Sequence, residues 1–244
     1  MNYKMTVQYD GARYSGWQRQ GNTGRTIQGK LEQTLSDLLE TPIEIQGSGR
    51  TDAGVHALGQ VASFQTEVPI PDFDHFLLRL NKALPADIAV VKIDIASPRF
   101  HARLNAKEKT YRYLIWNSPI PNVLQRRVMF MVDTPLDLEA MRIAASKLTG
   151  THDFAGFSSD HTKKSTIRHL RAAEVNRNGN QVEILYTGNG FLRNMARIIT
   201  GTLVETGLHQ RTPESIQEIL TSGDRAKAGF TAPAQGLCLM EVFY

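Results

Sequence analysis

A single carboxylate, Asp52, sits in the stretch GSGRTDAGVHALGQ (residues 47–60), with Arg50 two positions before it and His56 four after. Glycine and alanine crowd around it. Three roles fit an acid in such company: part of a phosphate-cradling loop, a tight turn that uses Asp as a backbone acceptor, or a nucleophile presented to a substrate. The first fails on residue order. Asp52 stands where the third glycine of a dinucleotide fingerprint belongs, the segment after it reads as a strand, and there is no Walker lysine. Metal chemistry fails as well. The seven histidines, His161 among them, are scattered without the i, i+4 spacing of a helical zinc motif. Cys238 is the only cysteine, so the Cys-x-x-Cys half of a zinc deaminase site is missing. The turn and the nucleophile both stay open.

Three further segments carry residue types suited to nucleic acid. YDGARYSGWQRQ places Arg13, Tyr14, Trp17, Gln18 and Arg19 on a glycine-containing loop. Guanidiniums bind phosphates and aromatic rings stack on unpaired bases; the plainer reading is a surface loop with one ring tucked into the core. KTYRY puts Lys109, Tyr111 and Tyr113 on one face of a strand and Arg112 on the other. A tyrosine can stack on a base and offer a phenol for proton transfer, or it can simply fill the core. GNGFLRNMARIITG reads as the start of a helix with Arg193 and Arg197 four apart on one face. Arg193 falls in the first turn, where the macrodipole disfavours a cation. A buried carboxylate partner would account for it, whereas a solvated basic face suits Arg197 better.

The elements that must position these residues follow from periodicity. MTVQY alternates Met5, Val7 and Tyr9 as a half-buried strand. Thr26 caps a helix with Ile27, Leu31, Leu35 and Leu38 inward, and Asp72 caps another that stops before Pro85. In the second half, a helix turns Leu138, Met141, Ala145 and Leu148 inward, and Asn178-Gly179 makes a hairpin turn. GLCLMEVFY ends the chain as a strand. Helices and strands mix in α+β order in both halves, and the polar LNAKEKT segment marks a boundary between domains 1–105 and 106–244. Lys plus Arg exceed Asp plus Glu by 28 to 24, a mildly basic balance that permits a polyanionic partner. A lone cysteine, an N-terminus that reads as a strand rather than a signal peptide, and the lack of a long apolar run point to the cytoplasm and away from membranes.

Taken together, YDGARYSGWQRQ, GSGRTDAGVHALGQVASF, RFHARLNAKEKTYRY, GTHDFAGF, GNGFLRNMARIITG and TAPAQGLCL resemble the tRNA pseudouridine synthase A family, in the family's order and over nearly the whole chain. The resemblance implies isomerisation of uridine to pseudouridine at positions 38, 39 and 40 of the tRNA anticodon stem-loop, without metal or cofactor, by a homodimer. It carries Asp52 over as nucleophile, Tyr111 as the residue contacting the target uracil, Arg193 as the basic partner of the aspartate, and Arg50 as the arginine holding the flipped substrate. His56, Arg13, Trp17 and Arg19 are then expected to bind RNA. The implied fold is two α+β domains, with mainly antiparallel sheets and helices on one face of each, joined across a basic cleft. A non-catalytic RNA-binding module, using the same residues, is the rival reading.

Overall fold

Tyr3, Met5, Val7 and Tyr9 alternate along β1 (Asn2–Tyr9), which buries that face completely against its own unit. The computed structural model describes residues 1–160, 162 and 165–244; His161, Lys163 and Lys164 lie outside the described residues. Met1–Lys107 and Leu239–Tyr244 form one compact unit, and Glu108–Cys238 form a second.

In the first unit α1 (Ile27–Leu39) begins where the Thr26 hydroxyl accepts from the Gly29 amide. Its inward row is Ile27, Leu31, Leu35 and Leu39, each four on from the last; Leu39, not Leu38, completes it. β2 (Ile45–Gly47) and β3 (His56–Gln65) follow. Then come α2 (Phe73–Ala83), capped by Asp72 on the His75 amide, and β4 (Ile88–Ile95). β1 lies antiparallel between β3 and β4, and β2 pairs with β3.

The second unit contains β5 (Glu108–Asn117), β6 (Phe130–Val132), α3 (Leu138–Ser146), β7 (Gly150–Asp153), β8 (Ile167–Asn178), β9 (Gln181–Gly188), α4 (Met195–Gly207) and α5 (Ser215–Ser222). Its strands run β5-β9-β8-β7 antiparallel, and β6 joins β5 in parallel. The fold is α+β. The β8–β9 turn falls one residue later than the sequence suggests. Asn178 pairs with Gln181 as a strand residue, and in the two-residue connection only Gly179 takes a positive φ, 58°. α4 also starts late. Asn194 adopts a left-handed conformation at φ 60°, which no helix interior tolerates, so Leu192 and Arg193 precede the helix.

β10 (Leu237–Phe243) closes the chain. The sequence places it with the second half, yet Leu239–Tyr244 pack in the first unit beside β3. Gly59 admits the Met240 carbonyl where a Cβ would sit only 2.2 Å from its oxygen. The Lys107 amide donates to the Phe243 carbonyl, and the Tyr244 hydroxyl donates to that of Ala102, both at 2.8 Å. No helix among the described residues is long and apolar enough to cross a membrane.

Candidate active site

Asp52 sits in the loop between β2 and β3, and that loop is bolted from below. The Ser48 amide donates to Val61 O, and its hydroxyl to Gln60 Oε1, both at 2.7 Å. Gln60 Nε2 reaches the Gly49 carbonyl at 3.0 Å. Thr51 is held twice, its hydroxyl 2.8 Å from the Tyr9 phenol and its carbonyl 3.1 Å from the Trp17 amide. Directly after it, the Val55 amide returns to the Asp52 carbonyl at 3.2 Å, closing a turn in which Gly54 takes φ 79°. Asp52 is therefore half-buried between a clamped threonine and a tight turn.

The glycines serve this clamp. A Cβ on Gly11 would lie 1.9 Å from Val55 O, and one on Gly47 would lie 2.5 Å from the Trp17 indole nitrogen. Gly16 adopts φ 99° and rests on the Thr51 carbonyl. Small residues here let the residue 11–17 loop lie directly on the Asp52 loop.

This corrects two expectations. Trp17 is 1% exposed, with its ring tilted 5.9 Å from that of Tyr9, so it is a strut under the loop and cannot stack on a base. His56 is 6% exposed, and its Nδ1 lies 3.1 Å from the Gly11 amide and 3.0 Å from Asp10 Oδ1. It fixes the corner at Asp10 instead of facing a ligand. Tyr14 is also occupied: its phenol donates to Asp87 at 2.5 Å, and burial, reinforced by that carboxylate, pushes its pKa well up.

Arg13, Arg19 and Arg50 are exposed. Arg13 closes a short 3₁₀ turn, Gly11–Arg13. Arg19 NH1 lies 3.0 Å from Glu32 Oε2, so its head group is tethered although it reaches solvent. Arg50 Nε donates to Gln18 Oε1 at 3.1 Å.

In the second unit β5 carries Tyr111 opposite Tyr186 of β9, and the two rings share the sheet face that α4 covers, where the Tyr186 hydroxyl meets Thr200 at 2.8 Å. Tyr111 is largely buried, and its ring meets that of Phe191 edge-on at 4.9 Å. The GNG turn delivers Phe191 there. Gly188 lies against the His169 carbonyl where a Cβ would be 2.7 Å from the oxygen. Asn189 clamps His169 twice, backbone amide to carbonyl and side-chain oxygen to amide, each at 3.0 Å.

The two arginines of this segment exchange places relative to expectation. Arg193 is exposed and precedes α4, with its carbonyl accepting from the Ser159 amide at 3.2 Å. Arg197 is the one in the first helical turn, and it is half-buried. Its Nε donates to Ala232 O at 2.7 Å and its NH1 to Asn194 Oδ1 at 3.0 Å, while the Ala232 amide returns to the Arg197 carbonyl at 3.1 Å. Burial raises the pKa of the Tyr113 phenol, and the Arg197 charge offsets part of that rise. The macrodipole argument applied to Arg193 thus belongs to Arg197. The left-handed Asn194 is what moved the helix start, and the chain carries no warning of it beyond Asn's tolerance of that conformation.

No cluster of three or more His, Cys, Asp or Glu suited to a metal occurs among the described residues.

The family model described as "tRNA pseudouridine synthase" matches residues 5–104 and 144–244. A protein named tRNA pseudouridine synthase A 2 from Bacillus anthracis is 45% identical over 243 residues, covering 99% of this chain and 98% of that one. Proteins named tRNA pseudouridine synthase A from Geotalea uraniireducens and Acetivibrio thermocellus are 47% and 44% identical, and they cover 99% and 100% of this chain and 98% and 99% of their own. With a half-buried aspartate on a clamped turn and relatives this similar end to end, the chain belongs to the tRNA pseudouridine synthase family.

Proposed function

We propose that the protein isomerises uridine to pseudouridine at positions 38, 39 and 40 of the tRNA anticodon stem-loop, with Asp52 as nucleophile and no metal or cofactor. The observation that carries the reading is the Asp52 turn. Thr51 is locked by Tyr9 and Trp17, and the turn behind it is closed by Gly54, so the backbone that presents the carboxylate is held still.

The reaction breaks the N1–C1′ bond, turns the uracil, joins C5 to C1′ and releases the C5 proton. An ionised carboxylate promotes cleavage by attack at C1′, by addition at C6 or by removal of the C2′ proton. Desolvation favours the neutral acid, and a guanidinium opposes that. We assign this second role to Arg197 in place of Arg193, because its planar group is already fixed by Ala232 and Asn194. Tyr111, backed by Phe191, has the rigid placement a uracil contact needs. Base access requires flipping, and Arg50 is the exposed fork that holds the strand in that state. Arg13 and Arg19 add phosphate contacts. The same family reading supports a cytoplasmic homodimer with tRNA lying across both subunits.

Tritium release from C5-labelled uridine in unmodified tRNA tests this, with wild type and Asp52→Asn side by side. Wild type should release tritium, and the variant should lose on the order of 10⁴-fold or more in rate while still binding tRNA. Binding by both with release by neither would leave an RNA-binding module. Equal release by both would put the chemistry on another residue.

A further inference from the structure

The exposed Arg50 rests its Nε on a neutral amide, and the orientation of that amide is itself set from further away. Gln18 presents Oε1 to Arg50 Nε at 3.1 Å and donates Nε2 to Gln28 Oε1 at 2.7 Å. Gln28 in turn donates Nε2 to Glu32 Oε1 at 2.8 Å and to the Ile45 carbonyl at 3.2 Å. Gln28 and Glu32 stand one helical turn apart on the buried face of α1. Glu32 accepts also from the Ile45 amide at 3.1 Å and from Arg19 at 3.0 Å.

Each amide in this chain could flip, but only one orientation satisfies both of its ends. An ionised carboxylate only accepts, so Gln28 must turn its NH₂ toward Glu32 and its oxygen toward Gln18. That oxygen takes the Gln18 NH₂ and the Arg19 backbone amide, at 3.0 Å. Gln18 is then left with its oxygen pointing at Arg50. Glu32, the Ile45 carbonyl and the Arg19 amide all impose the same polarity on this row, and the buried carboxylate is the one charged group among them.

We propose that Glu32, acting through Gln28 and Gln18, is a positioning residue for Arg50, so that a carboxylate on α1 orients the arginine that holds the flipped RNA. The relay rests on the functional reading above only for what Arg50 does; the orientation itself is a property of this chain. It gives the aim of a salt bridge without its drawback. A carboxylate beside Arg50 would compete with phosphate for the guanidinium, whereas an amide oxygen aims the fork and leaves its charge available to the anion.

Two readouts test it. The first is the ¹⁵N–¹H resonance of Arg50 Nε, assigned by its disappearance in Arg50→Lys. Glu32→Gln and Gln18→Ala should both move that resonance and speed its exchange with water. Glu32 stands two glutamines away from Arg50, so a resonance unmoved by Glu32→Gln, in a protein whose circular dichroism is unchanged, overturns the relay whatever the activity. The second is a double-mutant cycle on tritium release. Gln18→Ala should cost roughly tenfold in kcat/KM, the scale of one hydrogen bond to a charged group, and less than about twofold in an Arg50→Ala background. A Gln18→Ala loss that persists in full without Arg50 would make Gln18 a structural residue only. Wild type that releases no tritium would overturn the functional reading instead, and the resonance would still decide the relay.

Discussion

The turn carrying Asp52 and the segment carrying Phe191 and Arg197 are built by opposite means. The first hangs on close backbone approach: Gly11, Gly16 and Gly47 admit neighbouring atoms where any Cβ would collide, and Trp17 is buried beneath. The second hangs on side chains fixed one by one, through Asn189 on His169, Phe191 against Tyr111 and Arg197 on Ala232. A loop that must keep one carboxylate still is made stiff through its backbone. A surface that must meet a planar base and a charge is made from side chains pinned individually on a rigid sheet. Stability and activity should therefore separate in the second unit and coincide in the first.

Truncating the two aromatics shows this most strongly. Trp17→Ala should cost about 3–5 kcal/mol, the usual range for a large aromatic removed from a core, and activity should fall with it. Phe191 is only partly buried, and Phe191→Ala should cost about 1 kcal/mol, the scale of an aromatic pair. Its kcat should nonetheless fall, since Tyr111 loses its support. Urea denaturation beside tritium release measures both. Equal stability losses would erase the contrast.

Next in size is the pair of arginines. Arg197→Ala should lower kcat by roughly 10²–10³-fold, as removal of a preorganised donor does. Arg193→Ala, on an exposed group ahead of the helix, should alter mainly KM and its salt dependence. The reverse ranking would return the role to Arg193.

That exchange shows where sequence is informative. Alternation in β1 and the four-residue rhythm of α1 are direct consequences of burying one face, so Met5, Val7, Ile27 and Leu31 could be read off the chain. Asp52 was legible as a candidate, but an acid amid small residues suits a tight turn as well as a nucleophile, and the family resemblance is what separates the two. The glycines around Asp52 were legible as a special backbone, but not what approached it: they meet Trp17 and the chain's own carbonyls, contacts between segments 30 to 44 residues apart. Trp17 looked equally suited to stacking and to the core, and only tertiary packing separates the two. The helix start at Met195 turned on a single left-handed asparagine. Nothing in the residue types of Glu32 and Gln28 signals that both are buried.

The smallest effect expected belongs to Tyr113, which lies two residues along β5 from Tyr111 and differs from it in being wholly enclosed. Its hydroxyl donates to the Pro233 carbonyl at 2.7 Å, and Gly236 makes room for the ring, since a Cβ there would lie 2.5 Å away. Burial raises its pKa well above the ordinary phenol value, with Arg197 offsetting part of the rise. The folded state thus holds this phenol neutral. Its contribution to stability is complete below the unfolded-state pKa of about 10 and is lost as pH rises from there toward the higher folded value. Tyr113→Phe should cost about 1 kcal/mol at neutral pH, from the lost hydrogen bond. It should also flatten the decline in stability above about pH 10. Urea melts at neutral and alkaline pH separate the two contributions. An alkaline limb unchanged by the substitution would mean that the phenols Tyr14, Tyr186 and Tyr244, whose pKa values are also raised chiefly by burial, carry the whole of it.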